Sequence, residues 1–163
     1  MRIFYTDGSW NPNTGKCRWS VTEVVTENKT EVVKSQVDGD VPNGKTANAA
    51  ELMAINVALR MATNGDKVVS DSSYAVSCLT KWAEGWEKNG WMRKERKRMV
   101  QIKNREVIID SYNLYRSKDV EVAWQRRGQS VGNVIADHSA KFGAIQCPHC
   151  GMNIFEQPRG ERS

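Results

Sequence analysis

Apolar and polar positions alternate in a way that divides the chain into short elements. Arg2 to Thr6 and Arg18 to Val25 are rich in aromatic and β-branched residues and flank the turn-forming run Asn11-Pro12-Asn13-Thr14-Gly15, a pattern that predicts a hairpin. Thr30 to Val37 supplies a third strand. After the turn at Pro42-Asn43-Gly44, Ala47 to Ala62 is dominated by Ala, Leu, Met, Ile and Val, with Glu51, Asn56 and Arg60 as its main polar interruptions. That predicts a largely buried helix. Gly65-Asp66 ends it, Lys67 to Ser70 makes a short strand, and Asp71-Ser72-Ser73 can cap a helix running towards Trp82. A helix fits Ile102 to Tyr115, a strand Val120 to Trp124, and a last helix Val131 to Phe142. Strands first, then helices alternating with further strands, imply an α/β domain built on a five-stranded mixed sheet with helices on both faces.

Composition narrows the class. The 163 residues, 39% hydrophobic, are enough for one domain with its own core; that domain is expected to span 1–144, followed by a polar tail over 145–163. No apolar run approaches the roughly 18 residues of a membrane span, and the start turns polar too early for a signal peptide, so a cytoplasmic monomer is expected. Two lone cysteines, Cys17 and Cys78, and one close pair, Cys147 and Cys150, do not make a secreted disulfide framework. The net charge of +5 becomes informative once it is located. Arg93 to Arg105 holds seven basic residues against the single acid Glu95, a net +6, which leaves the other 150 residues at −1.

Four acids stand out against that background. Asp7 follows directly on an apolar strand, Glu51 lies inside the most apolar helix, Asp71 ends the run Val68-Val69-Ser70, and Asp137 falls four residues after Asn133 on the same helix face. Taken singly, Asp71 reads as an N-cap and Asp7 as a turn residue. Glu51 has no such reading, because a carboxylate in apolar surroundings is costly unless something compensates it. Together they suggest one site assembled by the fold, whose all-oxygen ligands suit Mg²⁺ or Mn²⁺ rather than zinc. Two such ions about 4 Å apart would clamp the attacking and leaving oxygens of a phosphodiester.

These residues carry a resemblance. Tyr5-Thr6-Asp7-Gly8-Ser9, Asn48-Ala49-Ala50-Glu51-Leu52-Met53-Ala54, Ser70-Asp71-Ser72-Ser73-Tyr74 and Gly132-Asn133-Val134-Ile135-Ala136-Asp137 resemble, in order, the four motifs of type 1 ribonuclease H, over about Ile3 to Phe142. The resemblance implies a ribonuclease H-like fold in which Asp7, Glu51, Asp71 and Asp137 hold two Mg²⁺ ions, with Mn²⁺ able to substitute. It further implies hydrolysis of the RNA strand of RNA/DNA hybrids, leaving 5′-phosphate and 3′-hydroxyl ends. Ten residues before the last aspartate, where the family usually has a flexible-loop histidine, this chain has Arg127, and the loop is one residue shorter. Arginine cannot shuttle a proton, but it can hold a phosphate or help product leave. Arg126 beside it is an equal candidate for that contact.

Trp82, Trp86 and Trp91 directly precede the +6 block and together with it resemble the basic handle with which many bacterial members grip the DNA strand. Trp82 is assigned to binding, and Trp86 and Trp91 to packing. Lys94, Arg96, Lys97 and Arg98 would then contact phosphates without reading bases, the alternative being a solvated basic helix. On the RNA side the resemblance points to Asn48, with Thr46 and Asn11 as phosphate or sugar contacts, although Ala47 and Ser73 depart from the family's usual asparagine and glutamine. The tail's Cys147-Pro148-His149-Cys150 reads first as a vestigial or partner-binding segment. A zinc site, completed by a second copy or by Cys17 or Cys78, comes second, and a redox pair third. Two other classes stay open at this point: a DNA-directed nuclease on the same fold, and a non-catalytic hybrid-binding module.

Overall fold

Three long antiparallel strands begin the chain: β1 (Arg2–Asn11), β2 (Lys16–Glu27) and β3 (Thr30–Asp40). The turn between β2 and β3 has only two residues, Asn28 and Lys29, both at positive φ, the geometry whose twist matches that of the strands it joins. In the computed structural model, residues 1–126 and Ile135 are described. β4 (Lys67–Ser70) pairs parallel with β1, and β7 (Glu121–Trp124) pairs parallel with β4. The sheet order is therefore β3-β2-β1-β4-β7, a five-stranded mixed sheet with β1 at its centre.

Helix α1 (Ala47–Met61) crosses β1 and is buried along most of its length because α4 (Arg105–Ser117) covers its outer side. Phe4, Val21, Val68 and Val122 from the sheet meet Leu52, Ile55 and Leu59 of α1, with Ile108 of α4 in the same cluster. Each of the larger side chains contributes about 1.5–3 kcal/mol on burial. Where the two helices meet, Asn56 donates to Asp110 at 2.8 Å and to Ser111 at 3.0 Å, which satisfies the polar interruption of an otherwise apolar helix. Lys118 caps the end of α1, donating to the carbonyls of Leu59 and Ala62. Tyr5, Val24 and Val69 form a smaller cluster on the opposite side of the sheet.

Several expected elements shift. β1 continues five residues beyond Thr6, so Asp7 lies within the ladder, opposite Ser20, rather than at a strand end or in a turn. The N-cap after β4 is Ser72, whose Oγ accepts from Ala75 N at 3.1 Å, so Asp71 is not the cap. From there α2 (Ser73–Ser77), a π-helical turn (Cys78–Trp82) and α3 (Ala83–Lys88) run on to Gly90 and Trp91, both at positive φ. The basic block is a β-hairpin, β5 (Met92–Glu95) and β6 (Arg98–Gln101), and not a helix. The next helix starts at Arg105 rather than Ile102, because Asn104 takes a left-handed conformation and Ile102 turns into the core. Of the helix expected over 131–142, Ile135 is described and is helical and buried. Arg127, Asp137, Cys147 and Cys150 lie outside the described residues.

Candidate active site

Three separate elements bring acids to one place. Asp7 is fully buried at the middle of β1, and its Oδ1 accepts from Gly8 N at 2.9 Å. Glu51 sits in the second turn of α1, 7% exposed. The start of that helix is set by Thr46, whose Oγ1 accepts from Ala49 N at 3.1 Å. α1 can lie this close to β1 because position 8 is glycine: a Cβ there would run into the backbone of Ala50 and Glu51. Asp71 is the first residue beyond β4 and is partly exposed.

One carboxylate oxygen from each of Asp7, Glu51 and Asp71 lies within 4.8 Å of the others. Three acids gathered at this range, two of them buried, offer oxygen ligands to a cation among them. The donors are all hard oxygens. Hard oxygen donors at this spacing suit a divalent cation. The peptide beyond Asp71 is also tied: Trp124 Nε1 donates to Asp71 O at 3.0 Å.

The family model for RNase H matches residues 1–145. The chain belongs to the RNase H family. Membership makes it an endonuclease of RNA/DNA hybrids, with which the acidic cluster is compatible. Among similar proteins, the ribonuclease H of Orientia tsutsugamushi is 29% identical over 152 residues, covering 91% of this chain and 85% of the relative. That of Cereibacter sphaeroides strain ATCC 17029 is 36% identical over 107 residues, 63% of this chain and 67% of its own. The solution structure of the PFV RNase H domain superposes with a TM-score of 0.73 at 23% identity, covering 87% of this chain and 93% of that domain. The foamy viral protease-reverse transcriptase in complex with RNA/DNA hybrid gives 0.69 at 24% identity over 87% of this chain and 20% of its own. These structural matches establish an RNase H-like fold.

The remaining expected contact residues among those described are spread over several elements. Asn48 is exposed in the first turn of α1 and Thr46 caps it. Asn11 closes β1, its Oδ1 accepting from Asn13 N at 2.9 Å. Trp82 is 43% exposed, its ring 6.0 Å from that of Tyr74 and 5.8 Å from that of Trp86. Trp86 and Trp91 pack against the main core, Trp91 edge-on to Tyr112. Lys94, Arg96, Lys97 and Arg98 are all exposed on the hairpin, and among the described residues none of the four is held in an ion pair. Arg126 is exposed just beyond β7. Cys17 and Cys78 are both buried, and burial pushes the Cys17 thiol up and that of Cys78 to about 11.

Two residues that matter to this geometry carry no chemical signal in the sequence. Gly8 belongs to the first motif, but its role as the close approach to α1 depends on the crossing of two elements 40 residues apart. Trp124 shows only as the last apolar position of a strand. Its link to Asp71 follows from the parallel register of β4 and β7.

Proposed function

We propose that residues 1–144 form a ribonuclease H catalytic domain whose Asp7, Glu51 and Asp71, with Asp137, hold two Mg²⁺ ions for hydrolysis of the RNA strand, Mn²⁺ serving in their place. The observation that carries this reading is the convergence of the Asp7, Glu51 and Asp71 carboxylates within 4.8 Å. Bound there, the ions would supply Lewis acidity, lowering the pKa of water and offsetting charge on the leaving oxygen. The chain's own part is to fix the ligands. β1 holds Asp7 in a paired strand, the Gly8 contact sets the depth of Glu51, and the end of β4 places Asp71. Water attacks phosphorus, the bond to the 3′ oxygen breaks, and that oxygen takes up a proton, leaving a 5′-phosphate and a 3′-hydroxyl.

Arg127, always charged, would hold a phosphate or help product leave rather than carry the proton, with Arg126 beside it. Trp82 would line the path of the DNA strand, and Lys94, Arg96, Lys97 and Arg98 would neutralise its phosphates. Asn48, Thr46 and Asn11 would face the RNA strand, where the 2′-hydroxyl distinguishes RNA from DNA. The protein would act as a cytoplasmic monomer. No helix among the described residues is long and apolar enough to cross a membrane.

The test is a cleavage assay with Mg²⁺ on uniformly labelled RNA/DNA hybrid beside duplex DNA. The hybrid should be cut and the DNA left intact, and Asp7→Asn or Asp71→Asn should abolish cutting in a folded protein. Normal turnover in either variant, or preferred cutting of the DNA duplex, would overturn the reading.

A further inference from the structure

The chain leaves β4 at Ser70, where the ladder to β7 ends with Gln125 N donating to Ser70 O at 3.0 Å. α2 begins at Ser73, and the Ser72 carbonyl accepts from Val76 N at 3.1 Å. Asp71 falls between the two, so its carbonyl belongs neither to the sheet ladder nor to the helix. A carbonyl in that position takes its partner from outside both, from water or a side chain. Trp124 Nε1 provides it at 3.0 Å, from the last position of β7, in register with Ser70. One residue on, Ser72 N donates to Ser70 Oγ at 3.1 Å. The short connection carrying Asp71 is thus anchored on both sides of the aspartate.

Burial does not account for the place of this tryptophan. Trp124 is 53% exposed, while its neighbour two positions back in the strand, Val122, is 7% exposed in the core. Its directed contact is the bond to Asp71, whose carboxylate must meet those of Asp7 and Glu51. A ligand set works only when its members are held within about 0.5 Å of the productive geometry.

We propose that Trp124 is a positioning residue for Asp71, its indole N–H fixing the Asp71 peptide so that the carboxylate faces the metal-binding cluster. The inference rests on the reading of Asp71 as a metal ligand. Trp124→Phe keeps an aromatic ring and removes the donor. Calorimetric titration of the protein alone with Mg²⁺ should show binding weakened about tenfold, the worth of one hydrogen bond. On hybrid substrate kcat should fall by about the same factor with KM within about twofold, since the contact serves the reacting centre and not the duplex.

The thermal midpoint without metal should stay within about 2 °C, as expected for a half-exposed side chain. Unchanged Mg²⁺ affinity and kcat would overturn the proposal. So would a raised KM at constant kcat, which would make Trp124 a substrate contact, or a large fall in the midpoint, which would make it a packing residue. Because the titration needs no substrate, a wild-type protein that binds Mg²⁺ but leaves the hybrid intact would defeat the proposed function, while the variant comparison still decides the role of Trp124.

Discussion

Asp66 shows how this protein treats a buried acid that is no part of the metal cluster. Burial alone would raise its pKa, but the backbone N–H groups of Thr63 and Arg2 and the Arg2 guanidinium together hold the carboxyl below its usual range. A carboxyl whose folded pKa lies below its unfolded value of about 3.9 stabilises the fold above that pH and loses the contribution as pH falls through the lowered folded value. Asp66→Asn should therefore cost about 2–3 kcal/mol at pH 7, the worth of hydrogen bonds to a charged group. Below about pH 4 the penalty should shrink, and denaturant melts at pH 7 and pH 3 would show it. Asp7, Glu51 and Asp71 each bring one carboxylate oxygen within 4.8 Å of the others. The distinction is invisible in sequence, where Asp66 reads as a helix stop and Asp7 as a strand-end acid; what separates them is the distant neighbour, Arg2 for Asp66 and Glu51 with Asp71 for Asp7. Gly8→Ala tests the same point on the backbone. The added methyl should push α1 from β1, costing about 1–3 kcal/mol as overpacking, and should lower kcat more than that loss of stability explains.

At the scale of elements, the basic block is the clearest divergence between pattern and structure. Arg93 to Arg105 has the composition of a solvated helix face, and its reversal at Arg96, with φ of 55°, uses no glycine to announce a turn. What makes it a hairpin is its footing. Trp91 is folded back by a bond from its N–H to Trp86 O at 2.6 Å and packs on Tyr112, while Ile102 enters the core at the other end. Two anchored ends about ten residues apart favour two paired strands over a helix, which would separate them by about 15 Å at 1.5 Å per residue. The hairpin holds Lys94, Arg96, Lys97 and Arg98 in the open. Replacing all four with glutamine should raise KM for the hybrid with little change in kcat. If each pairs with one phosphate, the slope of log affinity against log salt should flatten by about 0.9 for every phosphate no longer neutralised. An unchanged slope, measured by binding at several salt concentrations, would remove the hairpin from the interface. By contrast α1 and β4 are legible from their apolar content within a residue or two, because burial on nearly all sides leaves little choice of register.

For the molecule as a whole, charge is divided between two places. A net +6 block stands on the hairpin and its approach to α4, and a remainder near −1 contains a concentrated acidic site. Such a protein should bind a polyanion without metal yet cut it only with metal. Chelation should stop cleavage while leaving hybrid binding largely intact, and restored Mg²⁺ should bring back turnover and raise the thermal midpoint through preferential binding to the folded state. Asp7→Asn should abolish that rise. The sequence by itself determined the α/β class, the strands of the main sheet, the family and the three acids Asp7, Glu51 and Asp71 that the fold brings together, because local apolar periodicity and short motifs are properties of neighbouring residues. Only the tertiary structure decided that Asp7 is paired within β1, that Gly8 admits α1, that the basic block is a hairpin and that the Trp124 indole bonds the Asp71 carbonyl. Each of these depends on contacts between segments far apart in the chain, whose free energy no local pattern records.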